Sequence, residues 1–378
     1  MIDMDTAFNQ KAKIIVVGVG GGGNNAVDRM IEDGVEGIDF IAVNTDSQVL
    51  KRSKAAVCLQ LGEKLTGGLG AGGKPEVGRA AAEESKDEVS RAITGTDMVF
   101  VTAGMGGGTG TGAAPVVAGI ARGMGMLTIG VVTKPFKFEG AKRMDKALTG
   151  IEELRKNVDT LVIVPNQKLM EIAGNMTMEE ALKKADEVLS QGVRGIAELI
   201  SRPGNINLDF NDVKSTMFEQ GVAHMGIGRA SGNKRAAEAV KMAISSPLLE
   251  TSINGAKNVL ICVAGGHDLT LMEVTDAGDL IAEAVDENAE IIFGSSINDD
   301  IEDEIVVTVI ATGFGREGGM PRAAEPSRTD AAQTSADSTR QAPRREIEPV
   351  RKSFTVDDDD EPQIKIPTFL QKQNRNNQ

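Results

Sequence analysis

The chain has 378 residues and a formal net charge of −14, a balance that repels nucleic acid and anionic lipid. Eleven Phe with no Trp or Tyr leave no stacking platform for single-stranded nucleic acid. Two cysteines and two histidines, far apart, argue against a disulfide framework, a Cys/His metal site and His-based catalysis, and they fit a reducing compartment.

In chain order, residues 1–12 ("MIDMDTAFNQKA") carry neither a basic n-region nor an apolar h-region and read as a flexible extension. No run of about 18 apolar residues follows anywhere, so the expectation is a cytoplasmic protein. "KIIVVGVG" (13–20), "IDFIAV" (38–43), "DMVFVTAG" (97–104), "LTIGVVT" (127–133) and "DTLVIVP" (159–165) read as buried strands. Segments 74–94, 109–124 and 140–157 between them have helical spacing. Near-continuous apolar strands alternating with helices predict an α/β domain over 13–176, a Rossmann-like parallel sheet covered on both faces.

A long central helix is predicted over 177–202, with Thr177 as N-cap, Glu180 completing a capping box and Pro203-Gly204 as the stop. Its length is about 37 Å at 1.5 Å per residue. Residues 203–222 form an acidic loop and a following helix. Strands at 258–266, 290–297 and 304–314 and helices at 234–244 and 271–285 predict a smaller α+β domain with a mixed sheet over 223–315. Residues 316–361 are rich in Arg, Ala, Ser, Pro, Glu and Asp and read as a disordered linker. The apolar cluster "IKIPTFLQKQ" (364–373) within 362–378 reads as a docking peptide.

"GMGGGTGTGAAP" (104–115) is the most informative stretch. Six of its first nine residues are glycine, at a strand-to-helix junction where orphan N–H groups and the helix dipole favour an anion. One or two glycines suffice for a tight turn, so six point to direct approach of phosphate oxygens, with Thr109 and Thr111 adding hydroxyls. "GVGGGGNNAV" (18–27) matches G-x-G-x-x-G, and Asp46 is a candidate ribose-binding acid, as in a dinucleotide site. "TGGLGAGGKP" (66–75) fails as a Walker A loop because Pro75 stands where a hydroxyl is needed. Three glycine loops from one sheet edge fit a nucleoside triphosphate bound in neither the Walker nor the usual NAD manner.

"GGGTGTG" (106–112) resembles the signature loop of the tubulin/FtsZ superfamily. Residues 13–315 resemble its bacterial cell-division branch, and "IPTFLQKQ" resembles that branch's C-terminal peptide. The resemblance implies GTP and Mg²⁺ as cofactors, with GTP held by Gly21, Gly22 and Asn25 in the first loop and Gly72 in the third. In the signature loop it implies Gly104, Gly107, Gly108, Thr109 and Gly110. It assigns ribose- and phosphate-side contacts to Glu139 and Arg143, and base-reading positions to Asn166 and Asp186. A carboxylate accepts from guanine N1–H and N2–H, a donor pair that adenine lacks. Read alone, Asp186 is first a solvated helix residue, and only the resemblance favours base reading. Leu182 departs from the family, which often places Phe beside the base.

In "NINLDFNDVKSTM" (205–217), Asp209 and Asp212 share a face if a helix begins there. They can polarise water, or Asn211 or Asp212 can simply cap the next helix. The resemblance matches Asn207, Asp209 and Asp212 to a hydrolysis-activating loop. Because the long helix separates this loop from the phosphate loops, the carboxylates are expected to reach the nucleotide of the next subunit in a head-to-tail filament. The resemblance further implies a cell-division role at midcell. It also implies membrane adaptors of the FtsA, ZipA or SepF type and regulators of the MinC type on the tail peptide. Two rivals stand beside it: an NAD-dependent oxidoreductase and a non-polymerising GTP-binding regulator.

Overall fold

The computed structural model describes residues 12–173, 177–201, 209–246, 253, 255–297, 301 and 303–314. β1 (Ile14–Val19) is fully buried and shows why the sheet is covered twice. Ile15, Val17 and Val19 enter one apolar core, and Ile14 and Val16 enter another. The first core is closed by α4 (Pro75–Glu84), α5 (Lys86–Ile93), α6 (Thr109–Gly123) and α7 (Ala141–Arg155). The second is closed by α1 (Gly20–Glu32), α9 (Met178–Ser201) and α10 (Phe210–Met217). The period-2 alternation of each strand therefore feeds two helical layers.

The sheet order is β3-β2-β1-β4-β5-β6-β7-β10-β8-β9. β2 (Asp39–Asn44), β3 (Val57–Gln60), β4 (Met98–Gly104), β5 (Leu127–Lys134) and β6 (Thr160–Pro165) run parallel with β1. β7 (Gly221–Ser231) continues parallel to β6 and then pairs antiparallel with β10 (Glu304–Thr312). β10 is antiparallel to β8 (Asn258–Gly265), and β8 is parallel to β9 (Glu290–Ile297). The second part of the sheet is thus mixed. α11 (Arg235–Ile244) and α12 (Leu271–Ala282) cover one of its faces. The α9 side chains Leu189, Val193 and Ile196 share a core with Leu127 and Ile129 of β5 and with Leu260, Cys262 and Ile310. The central helix is therefore wedged between the two parts of the sheet.

Three elements differ from the sequence reading. The helix expected over 74–94 breaks at Ser85, whose Oγ accepts from Gly62 N at 3.0 Å instead of continuing the helix surface. β3 is a short, largely exposed edge strand, so it lacks the apolar run that marked its neighbours. β7 is one continuous strand, but its apolar run is broken by Gly226 and Gly228, where a Cβ would collide with the carbonyl oxygens of Ala243 and Ala239 on α11. The two short helices α2 (Ser47–Leu50) and α3 (Glu63–Thr66) and the eight-residue α8 (Asn166–Ala173) complete the N-terminal part.

Candidate functional site: a glycine-lined cleft and a distant acidic helix

At the carboxyl end of β1 the chain turns into α1 through Gly20, at φ +72°. A Cβ there would lie 2.8 Å from Gly110 N, so the first and signature loops touch backbone to backbone. A Cβ on Gly18 would lie 2.5 Å from Gly23 O, and one on Gly23 would collide with Thr102 O. All three glycines of the dinucleotide-like fingerprint are therefore consumed by packing. Gly22 lies against Gly104, and Gly21 has nothing within 4 Å. Asn24 is buried beneath the loop, with its amide nitrogen directed at Gly18 O and Gly20 O and its oxygen at Asn44 Nδ2. Asp46 accepts from Gln48 N at 2.8 Å and caps α2, a different task from the ribose contact considered for it.

The signature loop corrects the expectation that its glycines serve phosphate alone. A Cβ on Gly106 (φ +101°) would lie 2.7 Å from Arg143 Cγ, and one on Gly108 would lie 2.9 Å from Lys74 N and Ala71 Cβ. A Cβ on Gly110 would lie 2.7 Å from Gly104 O, and one on Gly112 would collide with the Pro75 carbonyl. Gly107 is the loop's open position, with nothing within 4 Å. Thr111 is buried and its Oγ1 accepts from Gly106 N at 2.8 Å, so this hydroxyl closes the loop. Thr109 Oγ1 is 2.6 Å from Thr45 Oγ1.

The third loop joins them. Gly70 N donates to Thr45 O at 3.1 Å, and Lys146 Nζ of α7 donates to Gly73 O at 2.6 Å. Gly72 (φ +59°) is exposed, with nothing within 4 Å. The first and signature loops thus offer one unobstructed glycine each, Gly21 and Gly107, and the third offers Gly67, Gly72 and Gly73. No side chain caps α1 or α6. Two uncapped helix N-termini side by side are an anion site.

Asn166 and Asp186, the expected base-reading positions, lie on the helices that follow β6. Asn166, the first residue of α8, is buried, and its Oδ1 has no hydrogen-bond partner. Asp186 on α9 receives a hydrogen bond from the Asn25 side chain, and its burial pushes its pKa up to about 6. Leu182, one turn earlier, is 43% exposed and available to cover a ring. Glu139 accepts from Phe136 N at 2.8 Å and pairs with Arg143 Nε at 3.0 Å. Phe138 is exposed beside them and stacks on buried Phe136 at 5.1 Å. An orphaned buried acceptor and a cradle that methyl groups would fill fit a nucleoside triphosphate.

The acidic residues lie elsewhere. Asp209 Oδ1 accepts from Asp212 N at 2.9 Å and Asp212 Oδ2 accepts from Asp209 N at 3.1 Å, a reciprocal capping box that opens α10. The cap is therefore Asp209, not Asn211 or Asp212. Each carboxylate keeps one oxygen outside this exchange. Asn207 lies outside the described residues. The far end of α10 is fixed by Thr312 Oγ1, which donates to Thr216 O at 2.9 Å, and by Thr160 Oγ1, which donates to Met217 O. Thr160 opens β6, whereas Asn166 follows its last residue. The six residues of β6 span about 20 Å. Asn166 and the C-terminal end of α10 thus lie at opposite ends of β6.

Residues 13–174 match the Tubulin/FtsZ family GTPase domain, and residues 221–315 match the FtsZ family C-terminal domain. An FtsZ dimer structure from M. jannaschii is 50% identical, covering 81% of this chain and 89% of that one, with a TM-score of 0.79. The chain belongs to the tubulin/FtsZ family. A mutant of the M. jannaschii FtsZ matches at 50% identity over 80% of this chain and 92% of that one, with a TM-score of 0.78. CetZ2 from Haloferax volcanii, described as a GTPγS-bound protofilament, shares the fold at 22% identity (TM-score 0.68, 80% of this chain, 94% of that one). The glycine loops, Glu139, Arg143 and Asn166 lie in the matched GTPase domain, Leu182 and Asp186 lie just after it, and the protein is a GTPase of this family.

Long-range partners escaped the sequence reading. Thr45, Asn24 and Lys146 shape the glycine loops through residues distant in sequence, and nothing local to them signals it.

Proposed function

We propose that this protein is the self-assembling GTPase of bacterial cytokinesis, forming head-to-tail filaments that hydrolyse GTP between subunits. The observation that carries the reading is that Asn166 and the anchored end of α10, the helix that Asp209 and Asp212 open, lie at opposite ends of β6. The uncapped N-termini of α1 and α6, with Gly21, Gly22, Gly72, Gly104, Gly107, Gly108, Thr109 and Gly110, hold the phosphates. Mg²⁺ neutralises phosphate charge when bound. Asn25, Glu139 and Arg143 line the ribose and phosphate side. Asn166 and Asp186 read guanine, and Leu182 covers it. Asp209 and Asp212, with Asn207, orient water at the neighbouring subunit's γ-phosphate.

Exposed apolar side chains support self-association. Leu69 and Phe138 stand beside the glycine loops, and Leu271 and Met272 open α12. A heterologous contact of this kind need not close, and it makes filaments. Among the described residues no helix is long and apolar enough to cross a membrane. We place the filament in the cytoplasm at midcell, tethered through Ile364–Gln373 to adaptors of the FtsA, ZipA or SepF type and regulated by MinC-type partners. Many tail copies along one filament give avidity.

The test is GTP turnover against protein concentration, with sedimentation in parallel. Turnover per subunit rises above a threshold at which polymer pellets with GTP and Mg²⁺. Constant specific activity at all concentrations overturns the reading.

A further inference from the structure

Helix α6 begins in the signature loop and ends at the opposite edge of the sheet, about 22 Å away for its 15 residues. Arg122, in its last turn, gathers three neighbours. Its Nη1 donates to Lys156 O at 3.0 Å, its Nη2 donates to Glu219 Oε1 at 3.0 Å, and its Nε lies 3.4 Å from Asp159 Oδ1. Asp159 is 1% exposed, and its other oxygen accepts from Thr128 N at 2.9 Å. Arg122 is thus the cation that neutralises a buried carboxylate and reaches outward to Glu219 as well.

Glu219 occupies the turn between α10 and β7, at φ +55°. That left-handed conformation disfavours any side chain, and glycine adopts it freely. A glutamate there, bonded to Arg122, indicates that the side chain is worth its backbone strain. The turn is anchored again by Gly221 N, which donates to Asp159 O at 2.9 Å. A continuous path therefore runs from the signature loop along α6 through Arg122 and Glu219 to α10, whose first turn presents Asp209 and Asp212.

We propose that Arg122 and Glu219 are positioning residues for hydrolysis, locking the base of α10 to the end of the signature-loop helix. In that arrangement Asp209 and Asp212 are held at the angle needed by the next subunit's phosphates. This rests on the trans reading given above. Misplacement of a reacting group by about 1 Å can cost about a hundredfold in rate, so a modest swing of α10 suffices to matter.

Glu219 supplies the test, because Arg122 also neutralises Asp159 and its loss would confound folding. In the full-length chain, Glu219→Gly removes the link while relieving the turn. It is expected to melt at the wild-type temperature or above, to bind GTP with wild-type affinity and to pellet normally with GTP and Mg²⁺. Its kcat per polymerised subunit is expected to fall about tenfold. Glu219→Gln keeps an acceptor for Arg122 and keeps most of the turnover. Wild-type kcat in Glu219→Gly overturns the proposal. So does a loss matched by a lower melting temperature or weaker GTP binding, which marks a purely structural role. Full turnover in Asp212→Ala sinks the trans reading itself, a result separate from either of these.

Discussion

The Asn25 side chain donates to the Asp186 carboxylate and so joins the first glycine loop to the central helix. Burial outweighs this bond and leaves Asp186 titrating near pH 6 in the free protein. A guanine N1–H and N2–H pair needs the ionised carboxylate, so GTP binding is linked to loss of this proton. GTP affinity is predicted to fall about tenfold per pH unit below about 6, and Asp186→Asn is predicted to bind weakly with no such slope. Calorimetric titration between pH 5 and pH 8 in both proteins checks this.

The same group has a sign for stability. Burial raises its folded pKa above the ordinary aspartate value to about 6, so its stabilisation is present at low pH and is lost as pH rises through about 6. Asp186→Asn is therefore predicted to raise the melting temperature of the nucleotide-free protein at pH 7.5, and to leave it little changed at pH 4. Thermal melts at both values decide it.

Gly107 and Gly110 separate binding from folding. A methyl at Gly107 meets nothing within 4 Å, whereas one at Gly110 would lie 2.7 Å from Gly104 O. Gly107→Ala is expected to keep wild-type stability within about 0.5 kcal/mol and to weaken GTP binding at least tenfold. Gly110→Ala is expected to lose about 1–3 kcal/mol through overpacking. Urea denaturation and nucleotide titration together separate the two outcomes.

The capping box makes the acidic pair separable as well. Asp212→Asn keeps an oxygen to accept from Asp209 N, so it is expected to keep stability within about 0.5 kcal/mol while losing turnover. Asp209→Ala removes the cap and is expected to cost about 1 kcal/mol in addition to activity. Denaturation curves read the first effect and GTP hydrolysis the second.

The Arg235 side chain, 8% exposed, binds Glu273 at 2.6 Å and also Asp268, tying α11 to the first turn of α12, which presents Leu271 and Met272. The Arg235 guanidinium holds the Glu273 carboxyl down at about 2, so this stabilisation is present above 4.5 and is lost as pH falls toward 2. Arg235→Met is expected to cost about 3 kcal/mol at pH 7 and proportionally less in acid, measured by denaturant unfolding across pH.

The strands of the parallel sheet were legible because burial on both faces writes continuous apolar runs such as Ile14–Val17 and Met98–Val101. The central helix announced its start through Thr177 and Glu180, whose reciprocal bonds of 3.2 Å and 2.7 Å form the expected box. β7 was not legible, because its glycines answer to α11 and break the run. The glycine loops were visible as a concentration, but which glycine serves which neighbour was not. Gly112 is set by Pro75 and Gly106 by Arg143, and such pairings exist only in three dimensions. Likewise, "DFND" carried the capping pattern, but assigning the cap to Asp209 required the backbone.

Mixing two inactive proteins tests the central claim most directly. Asp212→Ala retains the cleft but lacks the activating carboxylate, and Asp186→Ala retains the acidic helix but lacks the base contact. Hydrolysis between subunits predicts that GTP turnover reappears on mixing, where the cleft of one meets the acidic helix of the other. A mixture that stays as inactive as its components, while both proteins enter the same polymer, contradicts it.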